Sequence, residues 1–273
     1  MKRQRDKQRA WAWRSRRTAR GPRRDVEVRR LNWTPDLVDR FWAGFSQTRL
    51  TEYSFSRLGG KSVVLAIEHH LLKDGTVLDY GAGDGELVGY LLDRAYKVAA
   101  YEPSGSRNQR LIDRVAGRDG FLGLVGVESK EQFDVVLMIE VIEHILDQDL
   151  RRALKNVHRL LKKSGVLVVT TPNNEDLELG MAYCPVSETL FHRWQHVRSF
   201  TAESLSELLL KYRFSPIVVH QVEFRLDFFV PYDRLWGGDQ FVADTPSYLN
   251  ALRMDTPVQI GSGSNLLFIG RKV

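Results

Sequence analysis

The sequence predicts an α/β fold: a doubly wound, mostly parallel seven-stranded sheet with an antiparallel closing strand. Three observations carry that prediction. Between residues 62 and 212, short apolar runs alternate with amphipathic stretches, and strand–helix alternation of that kind builds a parallel sheet with helices on its faces. The first apolar run, 77–80, enters glycines at 81, 83 and 85 and passes directly into a helical pattern. Two last apolar runs, 217–224 and 265–269, read as the closing pair.

The elements follow in order. Residues 35–45 read as a helix, with Leu37, Val38, Phe41, Trp42 and Phe45 forming its apolar stripe and Thr34 its cap. A second helix spans 62–72. Strand 77–80 is followed by a helix over 86–94, strand 98–101, a helix over 107–115, a short strand at 124–127 and strand 133–139. A long helix then runs to about 161, with Leu150, Leu154, Val157 and Leu161 on one face and Gly165 as its stop, before strand 166–170. Thr201 caps a helix ending near Tyr212, whose Leu205, Leu208 and Leu209 face the core. Two segments stand outside this alternation. Residues 173–200, with Cys184, His192 and Trp194, read as a lid over an acceptor, and residues 225–262, with Trp236, Gly237 and Gly238, read as an insertion.

Composition limits the class. The chain has 273 residues, enough for one large domain of roughly 200 to 250 residues plus an appendage. No apolar run approaches the roughly 18 residues that a membrane-spanning helix requires. The single Cys184 excludes an internal disulfide and a multi-cysteine metal site. The opening residues lack the pattern of a secretory signal, so the cytoplasm is the expected compartment. Charge is uneven. Residues 1–30 hold thirteen Lys or Arg against Asp6, Asp25 and Glu27, a net of +10. Taking these from the chain's 40 basic and 34 acidic residues leaves 27 and 31 for positions 31–273, a net of −4. Residues 1–30 therefore read as a basic tail too poor in aliphatic side chains to fold, and 31–273 as the α/β domain. Such a tail attracts phosphate, whether of nucleic acid or of an anionic membrane surface, and Trp11 and Trp13 are available for stacking.

The chemistry should lie outside the carboxyl ends of the strands. Glycines at 81, 83 and 85 let the backbone turn tightly and approach a ligand that a side chain would keep away. A dinucleotide fingerprint needs G-x-G-x-x-G, but here Glu86 stands at the sixth position and the spacing is G-x-G-x-G. After the second strand comes Glu102, whose carboxylate can accept from both hydroxyls of a ribose. After the fourth comes Glu140-Val141-Ile142-Glu143-His144. A helix starting there would gather Glu140, Glu143 and His144 within about 100° of arc. Two carboxylates beside an imidazole raise proton affinity and suit a base, whereas elsewhere a charged helix face means only solvent. Asn173 and Asn174, after the fifth strand, offer donors and acceptors to a substrate.

With Asp79 two residues before Gly81, the segment 77–87 resembles motif I of class I S-adenosylmethionine-dependent methyltransferases. The resemblance covers residues 60–272 and implies a cofactor site of Asp79, Gly81, Gly83, Gly85, Glu102, Glu128 and Glu140, with Glu128 where the family contacts adenine. The E-x-x-E-H stretch resembles quinone-biosynthesis O-methyltransferases and small-RNA 2′-O-methyltransferases, with His144, Glu140 and Glu143 as catalytic groups. In the small-RNA enzymes these three and a later histidine hold a divalent metal. The resemblance thus implies Glu140, Glu143, His144 and His196 as ligands, for Mn²⁺, Fe²⁺, Co²⁺ or Zn²⁺ rather than Mg²⁺. The expected activity is O-methylation of a small-molecule, glycan or lipid acceptor. Two alternatives stay open: an RNA 2′-O-methyltransferase that uses the basic tail, and a cofactor-binding scaffold without catalysis.

Overall fold

The structure is a computed structural model and describes residues 27–229 and 247–273. Trp11, Trp13, Trp236, Gly237 and Gly238 lie outside the described residues, as do positions 1–26 of the basic tail. Its last positions are structured: β1 (Arg29–Arg30) pairs in parallel with a strand of the segment 173–200. Helix α1 (Pro35–Ser46) is capped by Thr34, whose hydroxyl accepts from Leu37 N–H. Helices α2 (Phe55–Leu58) and α3 (Gly60–Ile67) follow, and α3 ends five residues short of the expected 72 in a 3-10 turn.

The sheet then begins with β2 (Thr76–Tyr80), α4 (Glu86–Asp93), β3 (Lys97–Tyr101), α5 (Gly105–Val115), β4 (Phe121–Leu124), β5 (Phe133–Ile139), α6 (Asp147–Leu160) and β6 (Leu161–Pro172). Strand β4 lies three residues earlier than the pattern suggests. Gly165 does not stop the helix either. Leu161 leaves α6 directly into β6, and Gly165 lies inside that strand, where a Cβ would crowd Leu161 and the Asp134 carbonyl at about 3 Å.

The lid segment forms a hairpin, β7 (Met181–Cys184) and β8 (Thr189–His192), to which β1 adds. Helix α7 (Ala202–Lys211) starts at Thr201 with a reciprocal capping box to Ser204. Strand β9 (Phe214–Val222), α8 (Ser247–Leu252), β10 (Gln259–Ile260) and β11 (Asn265–Lys272) complete the domain. The main sheet runs β10-β9-β11-β6-β5-β2-β3-β4, with β11 antiparallel to both neighbours. This is the expected seven-stranded sheet with an antiparallel closing strand, with the two-residue β10 added at one edge.

Alternation places successive strand residues on opposite faces. Val77, Val135 and Leu137 join α3, α4 and α5 in one buried cluster, while Leu78, Val136 and Met138 join α6 and α7 in another. Among the described residues no helix is long and apolar enough to cross a membrane.

One polar residue interrupts the core beneath the glycine turn. Asp79 on β2 is 3% exposed, and its Oδ2 has no hydrogen-bond partner among the described residues. Burial, and then the Glu102 charge, push its carboxyl from 3.8 up to about 7. A carboxyl whose pKa rises on folding holds its proton longer in the folded state, so stability falls as pH climbs from about 4 to about 7. Asp79→Asn should therefore raise the thermal unfolding midpoint at pH 8, the rise from 3.8 to about 7 capping the gain at about 4 kcal/mol. The gain should fade toward pH 4. Calorimetry at both pH values checks this, and an equal gain at the two would contradict a buried charge at position 79.

Candidate active site

A cavity of about 1230 Å³ opens at the carboxyl ends of β2, β3, β5 and β6. The glycine turn forms one wall. Gly81 and Ala82 both donate their backbone N–H to the Tyr101 carbonyl, which ties the end of β2 to the end of β3. Gly81, Gly83 and Gly85 all have positive φ (90°, 56° and 80°), and a Cβ on Gly81 would lie 2.6 Å from Val141. Glu102 is buried, its Oε2 accepting from Gly83 N–H at 2.8 Å and its Oε1 from Ser104 N–H at 3.0 Å. Two fixed donors orient the carboxylate and leave each oxygen a further lone pair for a ligand hydroxyl.

Among the expected cofactor residues, Gly81, Gly83, Glu102, Glu128 and Glu140 line the cavity, whereas Asp79 and Gly85 do not. Asp79 sits below the turn. Gly85 serves packing, since a Cβ there would meet Leu111 Cγ at 3.0 Å.

Helix α1 closes the cavity from above. Ser46 Oγ donates to Asp84 at 2.9 Å, and Arg107 Nε bonds the same carboxylate at 3.2 Å. The Arg107 guanidinium lies 4.8 Å over the Trp42 ring, whose Nε1–H donates to Gln195 Oε1 at 3.0 Å. Trp42 also meets the His144 ring edge-on at 4.9 Å. In the sequence this tryptophan was legible only as part of an apolar stripe.

The stretch after β5 departs from expectation. No helix starts at residue 140: Glu140 has φ +52°, residues 141–145 form a bend and turns, and α6 begins at Asp147. The three polar groups therefore do not share a helix face. Glu140 and His144 reach the cavity, but Glu143 is fully buried behind its wall. Glu140 Oε1 accepts from Asn265 Nδ2 at 3.1 Å, and burial pushes its carboxyl up to about 7. Glu143 Oε2 accepts from Thr171 Oγ1 at 3.1 Å, while Oε1 has no partner among the described residues. Burial, reinforced by the Glu140 charge, holds the Glu143 carboxyl well above the usual carboxylate range.

His144 is kept neutral, since burial and then the nearby His196 hold it well below the usual imidazole range. Its Nδ1 lies 3.5 Å from the Gln195 carbonyl, an oxygen that can only accept, so the ring proton belongs on Nδ1. Nε2 then keeps a lone pair, 3.8 Å from Glu143 Oε1.

Glu143, His144 and His196 bring potential ligand atoms within 4.8 Å of one another, and Glu140 is not part of that set. Three of the four residues implied as metal ligands thus converge. One carboxylate with two imidazoles, and an orphaned carboxylate oxygen among them, fit a divalent ion of the Mn²⁺ to Zn²⁺ group.

Glu175 did not emerge from the sequence, and His192 did so only as part of the segment read as a lid. Glu175 Oε2 lies 2.5 Å from His196 Nδ1, and its Oε1 lies 3.4 Å from His192 Nε2. Burial pushes Glu175 up, but the hydrogen bonds to the two imidazoles outweigh it and bring the carboxyl down to about 2. Glu175 stands three residues beyond β6, so the strand-end rule would have reached it. Asn173, the nearer candidate, instead spends its amide on Gly263 and Gln221.

Residues 52–219, more than half of the chain, match the profile of the methyltransferase domain family. Over 153 residues the chain is 28% identical to the ubiquinone biosynthesis O-methyltransferase of Bradyrhizobium diazoefficiens, covering 50% of this chain and 57% of that protein. Over 93 residues it is 31% identical to methyltransferase YrrT of Bacillus subtilis, covering 33% and 44%. The chain spans about half the length of these curated relatives. The Burkholderia thailandensis 1,6-didemethyltoxoflavin-N1-methyltransferase, with bound 1,6-didemethyltoxoflavin and S-adenosylhomocysteine, shares the fold at a TM-score of 0.53 and 18% identity, over 89% of this chain and 92% of that one. The glycopeptide N-methyltransferase MtfA, complexed with sinefungin, does so at 0.54 and 16%, over 81% and 96%. The chain belongs to the methyltransferase domain family, and its domain is that of an S-adenosylmethionine-dependent methyltransferase.

Proposed function

We propose that the chain transfers the methyl group of S-adenosylmethionine to a hydroxyl oxygen of a small-molecule, glycan or lipid acceptor. The observation that carries this reading is the placement of His144 and His196 in the same cavity as Gly83 and Glu102. Methyl transfer from a sulfonium needs an acceptor oxygen in line behind the methyl, about 3 Å away, and a group to take the hydroxyl proton. Neutral His144, with its lone pair on Nε2, is such a group.

The roles divide across the cavity. Glu102 accepts from the ribose hydroxyls, Gly81 and Gly83 let the backbone approach the methionine portion, and Glu128 borders the adenine. Glu140, held by Asn265, lies between cofactor and acceptor. A divalent ion held by Glu143, His144 and His196 would occupy the His144 lone pair, and it would then act in place of that base by polarising the acceptor hydroxyl and making its proton easier to lose to solvent.

Methyl-labelled cofactor incubated with the chain and fractionated cell extract should place label in the small-molecule, glycan or lipid fraction as an alkali-stable ether. Label confined to RNA or protein would overturn the reading. His144→Ala should lower that transfer by roughly a hundredfold or more while leaving cofactor affinity within threefold. Glu102→Ala should do the reverse, weakening S-adenosylhomocysteine binding roughly tenfold to a hundredfold by calorimetry. After loading with Co²⁺ and dialysis, the chain should retain one ion and show its visible absorption, and His196→Ala should lose both. A wild-type chain that retains no ion contradicts the metal.

A further inference from the structure

We propose that Glu175, which lies beside His192, is a positioning residue: it locks the His196 ring in the tautomer whose Nε2 lone pair is free for the acceptor site. The proposal rests on the reading of His196 as an acceptor-site group, and it holds whether that lone pair takes a proton or a metal ion.

The argument starts from His192, which is 1% exposed. Its Nδ1 lies 3.3 Å from the Trp194 backbone nitrogen and 3.1 Å from that of His196, both of which donate to it. A ring nitrogen that accepts must carry a lone pair, so the His192 proton resides on Nε2. That nitrogen faces Glu175 Oε1 at 3.4 Å. Glu175, His192 and His196 also bring potential ligand atoms within 4.8 Å of one another. They nevertheless form no metal site. Nε2 of His192 holds a proton where a metal would need a lone pair, and its Nδ1 is already engaged.

Glu175 thus faces His192 Nε2 with one oxygen at 3.4 Å, a charge contact without hydrogen-bond geometry, and its other oxygen, Oε2, lies 2.5 Å from His196 Nδ1. A carboxylate offers only lone pairs, so the proton in that contact belongs to His196 Nδ1. Nε2 is left free, and His196 lines the cavity. A carboxylate that fixes the tautomer of a working imidazole is a recurrent device in general-base and metal sites alike.

Two further features make the arrangement rigid. The His192 and His196 rings stack at 4.5 Å and 21°. A Cβ on Gly180 would fall on the His192 ring, so only glycine admits that imidazole. His144 is set the same way, its Nδ1 turned to the Gln195 carbonyl. The two histidines therefore reach the site with matching tautomers, fixed by different partners.

Long-range proton–nitrogen NMR of the full chain, with ¹⁵N-labelled histidine, reads tautomers without any acceptor. In the wild type, His196 should show its protonated nitrogen at Nδ1 and His192 at Nε2. In Glu175→Gln and Glu175→Ala, the His196 proton should move partly or wholly to Nε2, while S-adenosylhomocysteine binding stays within threefold and reports an intact fold. A wild-type His196 protonated on Nε2, or a tautomer unmoved in the variants, overturns the proposal. The wild-type spectrum decides even where a variant fails to fold. If the tautomers are as stated and no acceptor hydroxyl is methylated, the proposed function fails and the role of Glu175 toward His196 stands.

Discussion

The bond from Gly83 N–H to the buried Glu102 carboxylate is the interaction on which the cofactor side depends. It exists because β2 and β3 pair in register, Tyr80 beside Tyr101, so that both strands end at the same level. The Tyr101 carbonyl then takes two N–H groups of the turn, and Glu102, one residue later, takes the third. Each bond needs a backbone path that positive φ at 81 and 83 provides. With the turn fixed, helix α4 starts at Gly85, and its free N–H groups stay near the cavity floor.

The acceptor side is built on an unusual backbone as well. Glu140 adopts the left-handed region, and its N–H is held by the carbonyl and the hydroxyl of Thr170 on the neighbouring β6. This reversal sends the chain into turns rather than a helix. As a result Glu143 dips under the wall toward Thr171, and His144 comes up beneath Trp42. Gln195, itself left-handed at φ +63°, joins three parts: its side-chain amide donates to the His144 carbonyl, its side-chain oxygen accepts from Trp42, and its own carbonyl faces the His144 ring. Helix α1 is thereby coupled both to His144 and, through Arg107 and Asp84, to the glycine turn.

Local features were legible in the sequence. The glycine spacing, Glu102 at the next strand end, the alternation of strands and helices, and the caps at Thr34 and Thr201 each depend on a few neighbouring residues. The stretch 140–144 was misread because its spacing fits a helix equally well, and only the pairing of β5 with β6 shows that Thr170 captures the Glu140 N–H. Glu175, His192 and His196 were harder still, since their partnership depends on how a hairpin folds back and on the single position, Gly180, where a ring fits. The register of β4 was shifted by glycine: Gly120 turns with φ +87°, its would-be Cβ only 2.6 Å from the Tyr96 carbonyl, so the strand starts immediately after it.

The site also concentrates an electrostatic cost. Asp79, Glu140 and Glu143 all have carboxyls raised by burial, and two of them have an oxygen without a partner among the described residues. Such groups destabilise an empty fold, and two apolar clusters on the flanking faces offset them. A cationic sulfonium in the cavity that Glu140 lines, and a cation among the histidines beside Glu143, would favour the ionised forms of these two carboxyls. Buried carboxyls at the cavity would thereby favour positive charge there. Uncharged ligands gain nothing from it. Burial of the Glu140 carboxyl would therefore favour a sulfonium in the cavity over its neutral thioether product.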